Sequence, residues 1–250
     1  MNSEAKRQEG NDIYTILRED IISLRLKPGM LFSIKDICEQ YQSGRTPTRD
    51  ALIRLEQEGL ITFLPQRGTM ISRLELNRID NERFIRKSIE ENIMRDFVAV
   101  FSPTVILRLE DSISEQKEYI REGEIRRFLE ADEEFHSLFY QEVNRMYCKQ
   151  MIDKECCNYK RLRLLHIMTD DNEAAKKAIE EHEAIVSAAA VRDLHKVLYW
   201  FGVHIDRIHT QEHRLLRRFP ELFQEISGQD RRENSDLQRD FLVSIRSRGL

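Results

Sequence analysis

Four residues with metal-ligating side chains fall where a soluble helix should place apolar ones. In "FLEADEEFHSLFYQ" (128–141), Phe128, Leu129, Phe135 and Phe139 recur at helical spacing and mark a buried stripe. Asp132 and His136 lie on that stripe, one turn apart, a spacing that lets two side chains reach one ion. In "AAKKAIEEHEAIVSAAAV", His182 sits within the stripe Ala178, Ile179, Ile185, Val186, Ala189. In "LHKVLYWFGVHIDRIHTQEH", His204 sits within Leu198, Phe201, Ile205, Ile208. An inward polar group must be paired or coordinated, because an unpaired one is costly to bury. Single inward histidines are often just hydrogen-bonded core residues. Three of them with an aspartate, on three separate helices, favour one divalent ion per chain. One carboxylate and three imidazoles suit Zn, Ni, Mn or Fe without choosing among them. His209 and His213 are also one turn apart, but their charged neighbours mark a solvated face; His166 and His195 read as ordinary.

The elements that must position these residues are mostly helical. The chain has 250 residues, 40% hydrophobic and 34% charged, with nine Gly and five Pro. Forty Lys and Arg against 44 Asp and Glu leave a net charge of −4, so no overall basic bias points to nucleic acid. No apolar run approaches the roughly 18 residues of a membrane span, and "MNSEAKRQEG" lacks the apolar core of a secretory signal. Cys38, Cys148, Cys156 and Cys157 form no C-x-x-C pair, which favours reduced thiols and a cytoplasmic protein. From about residue 76 the pattern is helix after helix, beginning with the stripe Phe84, Ile85, Ile89, Ile93, Phe97. Breaks fall at 101–104, 121–124, 144–147 and 169–172. The expectation is an antiparallel bundle of about six helices over 76–225, with one of them across 148–167. A flexible start (1–11) and a polar tail (226–250) would flank the ordered regions.

Residues 12–75 read differently: three helices and a hairpin. Ser33 is placed to cap a short helix, "QSG" turns the chain, and "TPTRDALIRLEQEG" supplies Thr46 as cap, Pro47 at the first helical position and Gly59 as terminator. "LITFL" and "TMISRL" flank the turn "PQRG". This is the plan of a winged helix-turn-helix, whose second helix enters the major groove of double-stranded DNA. Arg45, Thr46, Thr48 and Arg49 would stand at the reading end, with Gly68 at the hairpin tip. Charge gives no support, since residues 1–70 hold equal numbers of basic and acidic side chains.

The run "LKPGMLFSIKDICEQYQSGRTPTRDALIRLEQEGLITFLPQRGTMIS" closely resembles the winged-helix domain of GntR-type bacterial transcription regulators. The resemblance implies DNA contacts at Lys35, Arg45, Thr46, Arg49 and Gly68. Gly44 departs from the usual serine before Arg45, and Thr48 from a common valine. "IRKSIEENI", "DEEFHSLFYQEVN", "EEHEAIVSA" and "WFGVHI" resemble the FCD ligand-binding domain of the FadR branch. Metal-binding members of that branch use Asp, His, His, His in this order, which implies Asp132, His136, His182 and His204 as ligands. Arg86 stands at the family's arginine motif, implying a bond to a small organic acid effector; an ion pair with Glu90 is its alternative role. The resemblance further implies a homodimer that more often represses than activates. A metal-dependent hydrolase and a purely structural metal are the competing readings, the first weakened because Glu133 and Glu134 point off the stripe.

Overall fold

The computed structural model describes residues 13–170 and 172–224. The two terminal assignments, 1–11 and 226–250, lie outside the described residues. The N-terminal module holds helix α1 (13–22), strand β1 (Leu31–Phe32), α2 (Ile34–Gln40), α3 (Arg45–Gln57), β2 (Ile61–Leu64) and β3 (Gly68–Ile71). The strands form an antiparallel sheet in the order β1-β3-β2, with Leu31 opposite Met70 and Ile61 opposite Ile71. The two-residue β1 is too short to leave a pattern in sequence. Ser33 and Asp36 cap α2 reciprocally, as a capping box. Ile13, Leu17, Ile21, Ile37, Leu52 and Leu55 make the apolar centre.

Helix α3 begins two residues earlier than expected. Gly44, not Thr46, is its N-cap, and it offers no side chain to bond the free amides. Pro47 fits in this first turn because its missing N–H would have had no intrahelical partner. Gly59, at φ +72°, ends the helix in the left-handed region.

The second module contains α4 (Leu76–Val100), α5 (Pro103–Glu122), α6 (Ile125–Glu142), α7 (Met146–Glu155), α8 (Cys157–Thr169), α9 (Glu173–Ala190), α10 (Leu194–Asp206) and α11 (Glu212–Arg218). Eight helices are described where about six were expected. Packing runs in a closed ring: α4 on α6, α6 on α5, α5 on α9, α9 on α10, and α10 back on α4. Phe97, Phe128, Phe135, Phe139, Phe201 and Ile185 fill it, all buried. Helix α8 lies against α4 and α9.

Two departures from the sequence pattern have physical causes. The expected single helix at 148–167 is two, broken at Cys156 without Gly or Pro. The first turn of α8 is instead satisfied from outside: Tyr159 N–H donates to Glu82 Oε2 at 2.8 Å, and Asn158 Nδ2 to Glu82 Oε1 at 3.0 Å. A carboxylate from another helix thus does the work of a cap and suits the positive end of the helix dipole. The stripe of α4 is also rotated. Phe84 and Ile85 are exposed, while Glu82, Arg86 and Glu90, one turn apart, face inward.

Removing the Glu82 carboxylate leaves buried partners on α8 unpaired. Glu82→Ala should cost about 3 kcal/mol, read as a several-degree fall in melting temperature. An unchanged melting temperature would contradict the capping role.

Candidate metal and effector site

The ring of helices brings the three inward histidines together. Helix α6 supplies His136, α9 His182 and α10 His204, and one nitrogen from each lies within 4.8 Å of the other two. All three rings are buried. The ring of Phe135 stacks on His182 at 4.2 Å between centroids, which fixes its plane. Asp132, on α6 with His136, is fully buried at the edge of this cluster. Its Oδ1 is 3.8 Å from His182 Nε2 and its Oδ2 4.0 Å from His136 Nε2.

Two of the three outer nitrogens have an anchor. His182 Nδ1–H donates to Gln116 Oε1 of α5 at 2.9 Å, and His204 Nδ1–H to Glu181 Oε2 at 2.9 Å. Both bonds put the ring proton on Nδ1, so each Nε2 presents a lone pair to the centre. His204 Nε2 faces His136 Nε2 at 3.2 Å. Two lone pairs cannot face one another at that distance without a proton or a cation between them. The spacing matches the roughly 3.0–3.4 Å that separates neighbouring ligands held about 2.1 Å from one ion. His182 Nε2 and Asp132 Oδ1 are buried with no hydrogen-bond partner. Orphaned acceptors of this kind, converging on one point, fit a divalent cation.

The electrostatics prepare the donors. Burial drives the three imidazoles below their ordinary value, His182 to about 3 and His136 and His204 well down, so all are neutral at pH 7. Burial pushes the Asp132 carboxyl up, but the Arg163 guanidinium beside it holds it down, ionised. Arg163, from α8, forms an ion pair with Asp132 Oδ2. Glu181 is raised by burial to about 7, partly offset by Arg207, whose Nε is 3.2 Å away.

Sequence reasoning missed Arg163, Gln116, Glu181 and Arg207. Gln116 had a signal, since it is three after Ile113 on the stripe of α5. Arg163 had none: α8 is buried nearly all round, so no face distinguishes it. Arg86 turns to Glu90, with Nη2 3.0 Å from Oε1, which realises the alternative role; its Nη1 remains buried without a partner. His209 and His213 are exposed, as is His195, but His166 is buried and lowered by that burial to about 4.

In the N-terminal module Lys35, Arg45 and Gly68 line one groove together with Ser33, Phe63 and Pro65. Thr46 and Arg49 are exposed on the first turns of α3. Two expectations fail. Thr48 is fully buried, its hydroxyl 3.5 Å from Cys38 Sγ, and packs α3 on α2 rather than facing outward. Gly68 is not the hairpin tip but the first residue of β3, at φ +99°, where a Cβ would come within 2.7 Å of the Phe32 carbonyl. Its smallness serves the sheet. Pro65, Gln66 and Arg67 are the exposed residues at the tip, and Arg67 is the cation among them.

Residues 9–71 match the family described as "Bacterial regulatory proteins, gntR family", and residues 83–207 match the FCD domain. The chain belongs to the GntR family and carries an FCD domain. Among curated relatives of this FCD-bearing GntR protein is the HTH-type transcriptional repressor RspR of Escherichia coli K12. It is 29% identical over 227 residues, 90% of this chain and 91% of the relative. A regulator from an unstable DNA locus of Streptomyces ambofaciens is 32% identical over 52% of this chain and 54% of its own. The fold is shared with E. coli McbR/YncC (TM-score 0.67, 17% identity, 84% of this chain and 97% of that one). It is likewise shared with a GntR regulator from Rhodococcus sp. RHA1 (TM-score 0.66, 20% identity, 82% and 97%). Families and relatives alike are transcription regulators, so the hydrolase alternative falls away. No described helix is long and apolar enough to cross a membrane.

The depressed imidazoles fix a pH dependence. A histidine lowered by folding binds its proton more readily in the unfolded chain, so stability is lost as pH falls below about 6.5. Three site histidines and His166 act in this direction; raised Glu181 opposes them between its ordinary value and about 7. Chelator-treated protein should therefore melt several degrees lower at pH 5 than at pH 7. A flat or rising profile on acidification would contradict the buried, neutral cluster.

Proposed function

We propose that this GntR regulator binds operator DNA as a homodimer and that a small carboxylate, bound at a divalent ion in the helical domain, controls the affinity. The convergence of three buried Nε2 atoms beside Asp132 carries this reading. Asp132, His136, His182 and His204 would hold the ion, which supplies a Lewis-acidic centre for an oxygen donor. If both Asp132 oxygens turn to an ion, Arg163 keeps only the Glu133 carboxylate, 4.0 Å away, and is left as an under-paired buried cation. An incoming acid replaces what Arg163 has lost, by a charge-assisted bond. Acids with a second oxygen function, such as hydroxy, sugar or dicarboxylic acids, can meet both requirements. Repression is supported by the name of the RspR relative, and release on effector binding is the response expected of such a repressor.

For DNA, Arg45, Thr46 and Arg49 are exposed on the first turns of α3, Lys35 shares a groove with Arg45, and Arg67 is exposed in the turn between β2 and β3. A homodimer supplies two such heads one helical turn of DNA apart. Its interface is supported by the exposed Phe84 and Ile85 of α4 and Tyr199 and Val203 of α10, helices that Arg83 and Lys87 join through Asp206. A cytoplasmic location follows from the DNA partner.

Arg49→Ala should cost about 1–3 kcal/mol on a selected duplex and relax sequence preference, while Lys35→Ala should weaken all sequences alike and flatten the salt dependence. Gel-shift titrations across salt decide this; unchanged affinity and selectivity in Arg49→Ala would displace the recognition helix.

Purified protein should carry about one divalent ion per chain, with His182→Ala and His204→Ala lowering metal content and melting temperature together. In a panel of organic acids with metal present, one should shift operator affinity, and Asp132→Ala should abolish the shift while sparing basal binding. Full metal content in both histidine variants would remove the four-ligand site. A normal acid response in Asp132→Ala would make the metal purely structural.

A further inference from the structure

Helix α8 reaches the site at one point and is tied to the DNA-reading helix indirectly at two, through α1 and α4. Arg163 pairs with Asp132. Two turns earlier, the corner between α7 and α8 is tied to the C-terminal end of α3. Arg18 of α1 donates from Nη2 to the carbonyls of Asp153 (3.0 Å) and Lys154 (3.2 Å) and lies 3.0 Å from Cys157 Sγ, while its Nε donates to Glu58 Oε2 at 2.8 Å. Glu58 is the C-cap of α3, and its other carboxylate oxygen accepts from Tyr14. The second tie uses the backbone. Arg78 Nη2 donates to the Glu58 carbonyl at 2.8 Å, and its Nε to Glu82 Oε1 at 3.0 Å, the same carboxylate that caps α8. Arg161 adds a bond from α8 to the Ser72 carbonyl at 2.7 Å.

The corner is braced toward the site as well. Lys149 and Lys160 both bridge Asp153 to Glu133, the neighbour of Asp132 on α6. Space exists for movement. A cleft of about 450 Å³ separates α1 from α6 and α8 and is lined by Ile22, Arg25, Glu130, Glu133, Lys160 and Arg163. Helix α8 is therefore not packed solid against α1 at the level of Arg163.

We propose that α8 is a lever: when Arg163 leaves Asp132, α8 shifts, and Arg18 and Arg78 carry the shift to the Glu58 end of the recognition helix. This inference rests on the sensor reading above and adds its transmission route. A rigid helix held at both ends has two arrangements, set by whether Asp132 or another anion holds Arg163, and each end biases the other. The route runs within one chain and does not need the dimer interface to move first.

Amide hydrogen exchange tests this without knowing the effector. In chelator-treated full-length protein, Asp132→Asn frees Arg163, and exchange should change several-fold in both 157–163 and 54–60. Adding Arg18→Gln and Arg78→Gln should preserve the response of Asp132→Asn in 157–163 and abolish it in 54–60. A response confined to α8, no response at all, or one in 54–60 that survives loss of both arginines overturns the lever. Should Asp132→Asn fail to fold, Zn²⁺ added to wild type and to the two-arginine variant gives the same comparison, because the ion draws Asp132 from Arg163. Metal that binds without altering 54–60 refutes the lever alone. Metal that does not bind refutes the sensor reading, and the lever is then judged on Arg163→Gln, which breaks the same pair from α8 and should change exchange in 54–60 only while Arg18 and Arg78 are intact.

Discussion

Lone pairs buried among phenylalanines, with no donor or cation to meet them, are too costly for a fold to leave unanswered. His182 Nε2 and Asp132 Oδ1 are in that position, and His136 and His204 present nitrogens to each other at 3.2 Å. Much of the helical domain follows from holding them there. Gln116 and Glu181 set the tautomers, Phe135 sets a ring plane, and Arg163 keeps Asp132 ionised. The five-helix ring closes around this polar centre, so the apolar core and the site are one object. A cation at the centre would satisfy donors that no side chain among the described residues reaches.

The other dependence is between modules. Three arginines, Arg18, Arg78 and Arg161, bond carbonyls across the junction. Arg161 is fully buried, and burial lowers it to about 10. Arginine suits this role because its fork reaches several carbonyls at once and stays charged at neutral pH. The segment after α11 contributes too: Leu74 exchanges hydrogen bonds with Leu222 and Gln224, and Phe223 is buried in the junction. The recognition helix thus sits on the helical domain rather than on a loose linker.

Sequence periodicity made the inward set legible because α6, α9 and α10 are amphipathic: a polar residue on an apolar stripe stands out. It failed at α8, where nearly every side is buried and Arg163 has no stripe to interrupt. It failed again at Cys156, because the helix break is stabilised by Glu82, 77 residues before Tyr159. In the first half of α4, Phe84 and Ile85 face outward and the ionic ladder Glu82, Arg86, Glu90 faces in, the reverse of what hydrophobicity alone suggests. Thr48 and Gly68 show the limit of reading by resemblance and position. Resemblance places Gly68 at the DNA and position on the helix places Thr48 there, and both are used internally.

The central claim is that three imidazoles and Asp132 form one cation site. X-ray absorption spectroscopy on protein purified with its own metal tests it most directly. The account predicts a first shell of about three imidazole nitrogens with carboxylate or water oxygen at roughly 2.0–2.2 Å, and no sulfur. A shell containing sulfur, or one made of oxygen alone, would place the ion elsewhere and contradict the account.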